Sequence, residues 1–262
     1  MKISGLEAAQ AVREAKLSGQ SPRARGEEKT RLALDWIYRW GWASPSIVDR
    51  LSGAVRRGLA ARLVRQGLLV ATRTESAGAV RGVPAKILTL SESGQAEVER
   101  WRSSLIPYSR DPYRIRQDLL RHNQLAQQVT ATSLLNGSIR AFLTEQEIAN
   151  RSEVAQKQPD VVWVHASGKR CAVEVELTAK WGRQFDQFVS SCLLALAGTN
   201  ARYDLIALIS DSPAILRRYA AAFEPGYRYR IWERDARGHW QSVGTREVPA
   251  WARERVLCKR VD

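Results

Sequence analysis

The sequence predicts a mixed α+β / α/β chain built as two successive domains. One sign is a run of three apolar helical patterns, two short β-rich runs and a fourth helical pattern over residues 29–103. Another is the order helix, three strands, helix, strand that follows from residue 113. Between the two lies a polar, proline-containing stretch, 104–112, read as a linker. With 262 residues, 44% hydrophobic and 26% charged, the chain has the length and composition of two small cores.

Residues 1–28 read as a peripheral, flexible basic segment. Leu6 to Leu17 suits a short helix, and Ser18 to Gly26 a mobile basic linker. Thr30 to Arg39 is predicted as a helix carrying Leu32, Leu34, Trp36 and Ile37, and Gly41 ends it. Ser44-Pro45 supplies a helix cap and a proline suited to the first helical position, opening a short helix to Leu51. Gly53 to Gln66 is a third helix, with Val55, Leu59 and Leu63 on one stripe and Arg56, Arg57, Arg62 and Arg65 off it. Leu68–Thr74 and Ala85–Leu90 read as strands, and Ser91 caps a closing helix through Arg102.

The second domain, 113–262, opens with a predicted helix from Tyr113 to Leu135 and a strand from Ser138 to Leu143. His122 falls on the apolar stripe of that helix and reads as a hydrogen-bonded core histidine. Glu145 and Glu147 read as the acidic opening of a short helix, or else as outer ligands of a nearby site. Val161–His165 and Cys171–Leu177 form a hairpin around Ser167-Gly168-Lys169. A helix, Trp181 to Leu196, then places Trp181, Phe185, Phe188 and Cys192 on one inward stripe. Asp204–Ser210 is apolar enough for a strand buried on both faces, and Ser212-Pro213 opens a helix to Phe223. The tail carries a hairpin, Tyr227–Val243, turning near Arg237-Gly238, and a basic end.

Charge and chemistry narrow the function. The formal net charge of +14 is spread over both domains and predicts a polyanionic partner, nucleic acid before membrane. No apolar run approaches the ~20 residues that cross a bilayer, and no secretory h-region is seen. Cys171, Cys192 and Cys258 are scattered, which fits reduced thiols in a cytoplasm. Strand alternation puts Val173 and Val175 on one face and Glu174 and Glu176 on the other. Two neighbouring carboxylates repel each other unless a cation lies there, and Asp160 can reach the same place. Such a set suits a hard divalent cation, Mg²⁺ or Mn²⁺. Removing one of these like charges is expected to leave the metal-free protein no less stable.

The helix, ribbon and helix order of 29–103 resembles a winged helix-turn-helix domain. The resemblance implies that Arg56, Arg57 and Arg62 face double-stranded DNA from the third helix. Arg73, Arg81 and Lys86 would meet phosphates from the wing. Pro159-Asp160, Glu174-Val175-Glu176 and the αβββαβ order resemble the PD-(D/E)xK, restriction-endonuclease-like core. Glu176 stands where that superfamily usually has lysine, and Lys180 suits a migrated lysine.

Together with Arg121-His122-Asn123-Gln124-Leu125 and Ala172 to Thr178, the chain resembles the replication-relaxation family, which includes MobC-type mobilisation relaxases. The implied activity is metal-dependent DNA cleavage or nicking at a transfer or replication origin of a plasmid or mobile element. Asp160, Glu174 and the Val175 carbonyl would hold the ion. Glu176 would orient water, and Lys180 would stabilise charge on the phosphate. A homodimer and other mobilisation or replication proteins are further partners compatible with that role. The alternative is a non-catalytic DNA-binding regulator with a degenerate core.

Overall fold

A computed structural model describes residues 21–53, 58–149, 158–198 and 201–261. The chain is mixed α+β and divides into two compact units, Met1–Gln117 and Asp118–Asp262. The short helix expected over Leu6–Leu17 lies outside the described residues.

The first unit begins with α1, Pro22–Trp40. The Ser21 hydroxyl accepts from the Ala24 amide at 3.1 Å, and Pro22 occupies the first turn. Residues from Pro22 onward are therefore helical rather than a mobile linker. Ser21-Pro22 is the same start signal as Ser44-Pro45, which opens α2, Pro45–Leu51. The third helix, α3, is Leu59–Arg65, shorter than the expected Gly53–Gln66; Leu59 and Leu63 point inward as expected, Ala60 joins them, and Val55 lies outside the described residues. Its first amides find an acceptor on α2: Asp49 Oδ1 takes the Gly58 and Ala60 N–H groups at 3.2 and 3.0 Å.

Strands β1, Leu69–Arg73, and β2, Lys86–Leu90, pair antiparallel from Leu69↔Leu90 to Arg73↔Lys86. Ala43 bridges Leu88 in both directions, at 3.0 and 2.8 Å, tying the ribbon to the connection between α1 and α2. The closing helix α4, Glu92–Trp101, is capped by Ser91 and packs its Gly94 on the Leu68 carbonyl. The stretch read as a linker is fastened to this unit. The Tyr38 hydroxyl donates to the Ile106 carbonyl at 2.9 Å, and the Leu90 amide donates to the Tyr108 hydroxyl at 2.7 Å. The two tyrosine rings stack at 5.4 Å.

The second unit starts with α5, Leu120–Leu135, preceded by two 3₁₀ turns where a single longer helix was expected. The sheet runs β3 (Ile139–Thr144), β4 (Val161–His165), β5 (Arg170–Val175), β6 (Leu205–Ser210) and β9 (Val256–Arg260) in spatial order. The first three strands are antiparallel neighbours, whereas β5, β6 and β9 are parallel. Thr144 and Glu147 close the start of α6, Glu145–Ala149, as a capping box, with the Thr144 amide 3.0 Å from Glu147 Oε2.

Helices α7, Gly182–Leu196, and α8, Pro213–Ala222, cover one sheet face. Phe185, Phe188 and Tyr219 pack there on Val162, Ala172, Ile206 and Leu208. On the other face, Trp163 of β4 donates to Thr130 of α5 at 2.9 Å. Coverage of both faces explains the nearly unbroken apolar reading of β4 to β6.

The hairpin of β7, Arg228–Arg234, and β8, Trp240–Glu247, forms as expected and turns at Gly238, φ +81°. The basic end, read as a tail, instead forms α9, Ala252–Arg255, and the edge strand β9. Its exposed Leu257 and terminal cations hide the strand pattern.

Gly94 yields a prediction against helix propensity. A Cβ there would lie 2.0 Å from the Leu68 carbonyl oxygen. Gly94→Ala, favourable by about 1 kcal/mol in an open helix, should instead destabilise the chain by about 1–3 kcal/mol in urea unfolding.

Candidate functional site

In the second unit, chemistry gathers where β4 begins and β5 and β6 end. Asp160 precedes β4, and its Oδ2 accepts from the Val175 amide at 2.7 Å. His122, on the first turn of α5, brings Nε2 within 3.2 Å of Asp160 Oδ2 and 3.0 Å of the Val175 carbonyl. Its Nδ1 lies 3.0 Å from Asn123 Oδ1. Both ring nitrogens thus face acceptors, which favours the doubly protonated ring. Burial by itself lowers the His122 pKa. The hydrogen bond and charge of Asp160, with help from Asn123 and Val175, outweigh it and raise the value to about 9.

Glu145, at the start of α6, belongs to the same neighbourhood. Burial raises its pKa first and the Asp160 charge raises it further, while His122 opposes both. Arg121, beside His122, pairs with Asp211 just beyond β6.

The other acids take separate partners. Ala172 belongs to the core under α7 and α8, so alternation turns Glu174 and Glu176 to that face, as expected. Glu174 is 8% exposed and Glu176 5%. The Glu176 carboxylate accepts from Lys180 Nζ and, at 3.3 Å, from the Tyr219 hydroxyl on α8. Its backbone is held too, by Ile209 and by the Ser210 hydroxyl, which donates to the Glu176 carbonyl at 2.6 Å. Lys180 Nζ also lies 4.8 Å from the centre of the Phe188 ring. Burial and Glu176 both raise the Tyr219 pKa.

The structure therefore joins Asp160 to Val175 and joins Glu176 to Lys180. It adds His122 and Tyr219, for which the sequence had offered another role or none, and Glu145, for which a place near the site was one of two readings. His122 does form the hydrogen bonds of a core histidine, but it does so at the carboxylate cluster. The signal that could have found it was Arg121-His122-Asn123 at the start of α5. The Asp160 carboxylate and the Val175 carbonyl, both hard oxygen donors, converge on one nitrogen. That convergence fits a divalent cation in kind, because the same two oxygens already share one cationic group. Among the described residues, no cluster of three or more His, Cys, Asp or Glu side chains is arranged to hold a metal ion.

In the first unit, Arg73 and Lys86 are directly opposed on the ribbon, and both are exposed. Like charges facing each other across a strand pair are unfavourable without an anion. Arg81 is exposed on the loop between the same strands. Arg62 does not share that freedom: its guanidinium donates to Thr30 of α1 at 3.2 Å and is only partly exposed. The short α3 turns it toward the first helix. Arg56 and Arg57 lie outside the described residues.

Cys171 and Cys192 are buried free thiols, and Cys258 is an exposed one. No described helix is long and apolar enough to cross a membrane. No protein-family model, curated protein or solved structure matches this chain.

Two predictions follow from the pairings. His122 has a folded pKa near 9 against an ordinary 6.5. Its stabilisation is complete below pH 6.5, falls as pH rises, and is gone above about 9. The melting-temperature gap between wild type and His122→Gln should shrink across that window. A constant gap would show that the imidazolium is not the stabilising species.

Glu176 is neutralised from within, so relief of repulsion, expected from the sequence, does not apply to it. Glu176→Ala strands Lys180 and the Tyr219 hydroxyl. It should lower stability by about 1–3 kcal/mol without added metal, measured by urea unfolding.

Proposed function

We propose that the chain is a DNA-binding protein whose second unit is a metal-dependent DNA endonuclease or nickase. The first unit acts as a winged helix-turn-helix module and the second as a PD-(D/E)xK-like core. The carrying observation is the convergence of the Asp160 carboxylate and the Val175 carbonyl on one cationic group where β5 ends. The carboxyl ends of parallel neighbours are where open α/β sheets bind ligands. The order α5, β3, β4, β5, α7, β6, with the short α6 inserted after β3, supports the same reading.

Asp160 and the Val175 carbonyl would hold Mg²⁺ or Mn²⁺, with Glu174 as the further ligand that the resemblance implies. A bound ion of this kind supplies an activated water and polarises a phosphate. Glu176 holds Lys180 at the core's edge, where the ammonium meets phosphate charge. His122 neutralises Asp160 and positions it in the metal-free protein. Tyr219 and Ser210 fix Glu176 from behind. Arg73, Lys86 and Arg81 would track duplex phosphates from the ribbon. On the resemblance to replication-relaxation proteins, the substrate of this activity would be a transfer or replication origin.

A second reading has a specific observation in its favour. Asp160 and Glu176 are already charge-compensated by His122 and Lys180, as suits a DNA-binding accessory protein that no longer cuts.

Incubation of supercoiled plasmid with Mg²⁺ or Mn²⁺ separates the two. Nicking should require metal and be abolished by Asp160→Asn and Glu174→Gln. Arg73→Ala and Lys86→Ala should weaken duplex binding, each lowering the salt slope by about 1. Binding that depends on the ribbon, with no metal-dependent nicking by wild type, would leave the accessory reading in place.

A further inference from the structure

Next to Lys180 in the chain, α7 opens with two aromatic and cationic groupings that the nuclease reading does not use. The heptad-like pattern of α7 puts Trp181 on the stripe of Phe185 and Phe188. Those two rings are buried, but Trp181 precedes the helix and is 69% exposed. Arg218 of α8 lies over its ring, 3.6 Å from the centre, and 4.4 Å from the centre of Phe185. A second grouping stands on the β7–β8 hairpin. Trp240 is 37% exposed, with Arg183 of α7 at 4.7 Å and Arg234 of β7 at 5.0 Å from its ring centre. Among the described residues, Arg183, Arg218 and Arg234 have no carboxylate partner.

Core packing does not account for this arrangement, since both indoles keep surface in water. Intramolecular cation–π pairing accounts for it only in part. Such a contact is worth about 0.5–1 kcal/mol at an exposed site, and one arginine would supply it at Trp240, which has two. Arg183 also stands in the first turn of α7, against the sense of the helix dipole. That turn has no acidic residue and no side-chain cap. Cations held over exposed rings, without anions of their own, complement a ligand that alternates flat aromatic faces with negative charge.

An unpaired DNA strand is such a ligand. In a duplex the base faces are stacked on each other and inaccessible, whereas in a single strand they are free to stack on indoles. We propose that Trp181 with Arg218, and Trp240 with Arg183 and Arg234, form a stacking platform for an unpaired DNA strand. Bases lie on the two indoles, and the guanidiniums meet the phosphates. The platform leads from Lys180, the residue before Trp181, so a strand held there runs past the carboxylate edge. The inference rests on the second unit being a DNA-processing domain and adds the strand state of its substrate.

The test is fluorescence anisotropy of the full chain in chelator, so that no cleavage is needed. The probes are a short labelled oligodeoxythymidylate and a labelled duplex. Trp181→Ala and Trp240→Ala should each weaken single-strand binding roughly tenfold, the loss of one stacked base, while duplex binding holds. Trp181→Phe should retain most of the affinity. Arg218→Lys, which keeps charge but loses the planar group, should lose part of it. These two variants carry the test if an alanine variant does not fold.

Unchanged single-strand affinity in the tryptophan variants overturns the platform. So does an equal loss on duplex and single strand, which would mark a surface that only senses charge. Metal-dependent nicking that survives a failed platform leaves the nuclease reading intact. A working platform on a protein that never cuts leaves the platform intact.

Discussion

Neutralising carboxylates at the end of one sheet is the constraint on which the second unit depends. Asp160 at the start of β4 and Glu174 and Glu176 at the end of β5 come to this region through antiparallel pairing of the two strands, and the two glutamates are nearly out of water. A buried carboxylate without a partner is costly. The chain meets the demand with cations from its own helices and loops. His122 comes from α5 to Asp160, and Lys180 comes from the turn before α7 to Glu176. The placement of α5 against the sheet is thereby tied to the electrostatics of the site.

The same pairings make the site a balanced one. His122 Nε2 lies between the Asp160 carboxylate and the Val175 carbonyl and satisfies both oxygens. On the proposed reading, a divalent ion would replace the ring proton at the same oxygens. Glu176 is held from three sides, by Lys180, Tyr219 and the Ser210–Ile209 end of β6. It is a fixed anchor for Lys180 rather than a free carboxylate. The acid holds an amine that arrives four residues later.

The first unit shows the opposite arrangement of charge. Arg73 and Lys86 face each other across the ribbon and stay in water, where their repulsion is small but uncompensated. The ribbon itself is rigidly placed, because Ala43 bridges Leu88 and Tyr108 caps the Leu90 amide. Exposed like charges on a fixed support suit a large anion, whereas the acids of the second unit are satisfied internally.

Much of this was legible in the residues. Ser-Pro pairs, Gly41 and the Ser91 cap marked helix ends, because caps act through bonds within one turn. Strand alternation assigned Glu174 and Glu176 to one face, and the turn at Gly168 joined β4 to β5. Tertiary structure alone decided the partners. His122 and Asp160 are far apart in sequence, and only the docking of α5 brings the ring to the acid. Tyr219 reaches Glu176 because α8 packs over β5 and β6. Trp181 leaves the apolar stripe because α7 starts one residue after it, and Arg62 is drawn to Thr30 of α1, which accepts from its guanidinium. The edge strand β9 exists because β6 offers it an unpaired edge, a property of the sheet and not of Val256–Arg260. Periodicity and capping act over a few residues and can be read along the chain. Charge pairing and strand addition act through space, between segments that folding alone makes neighbours.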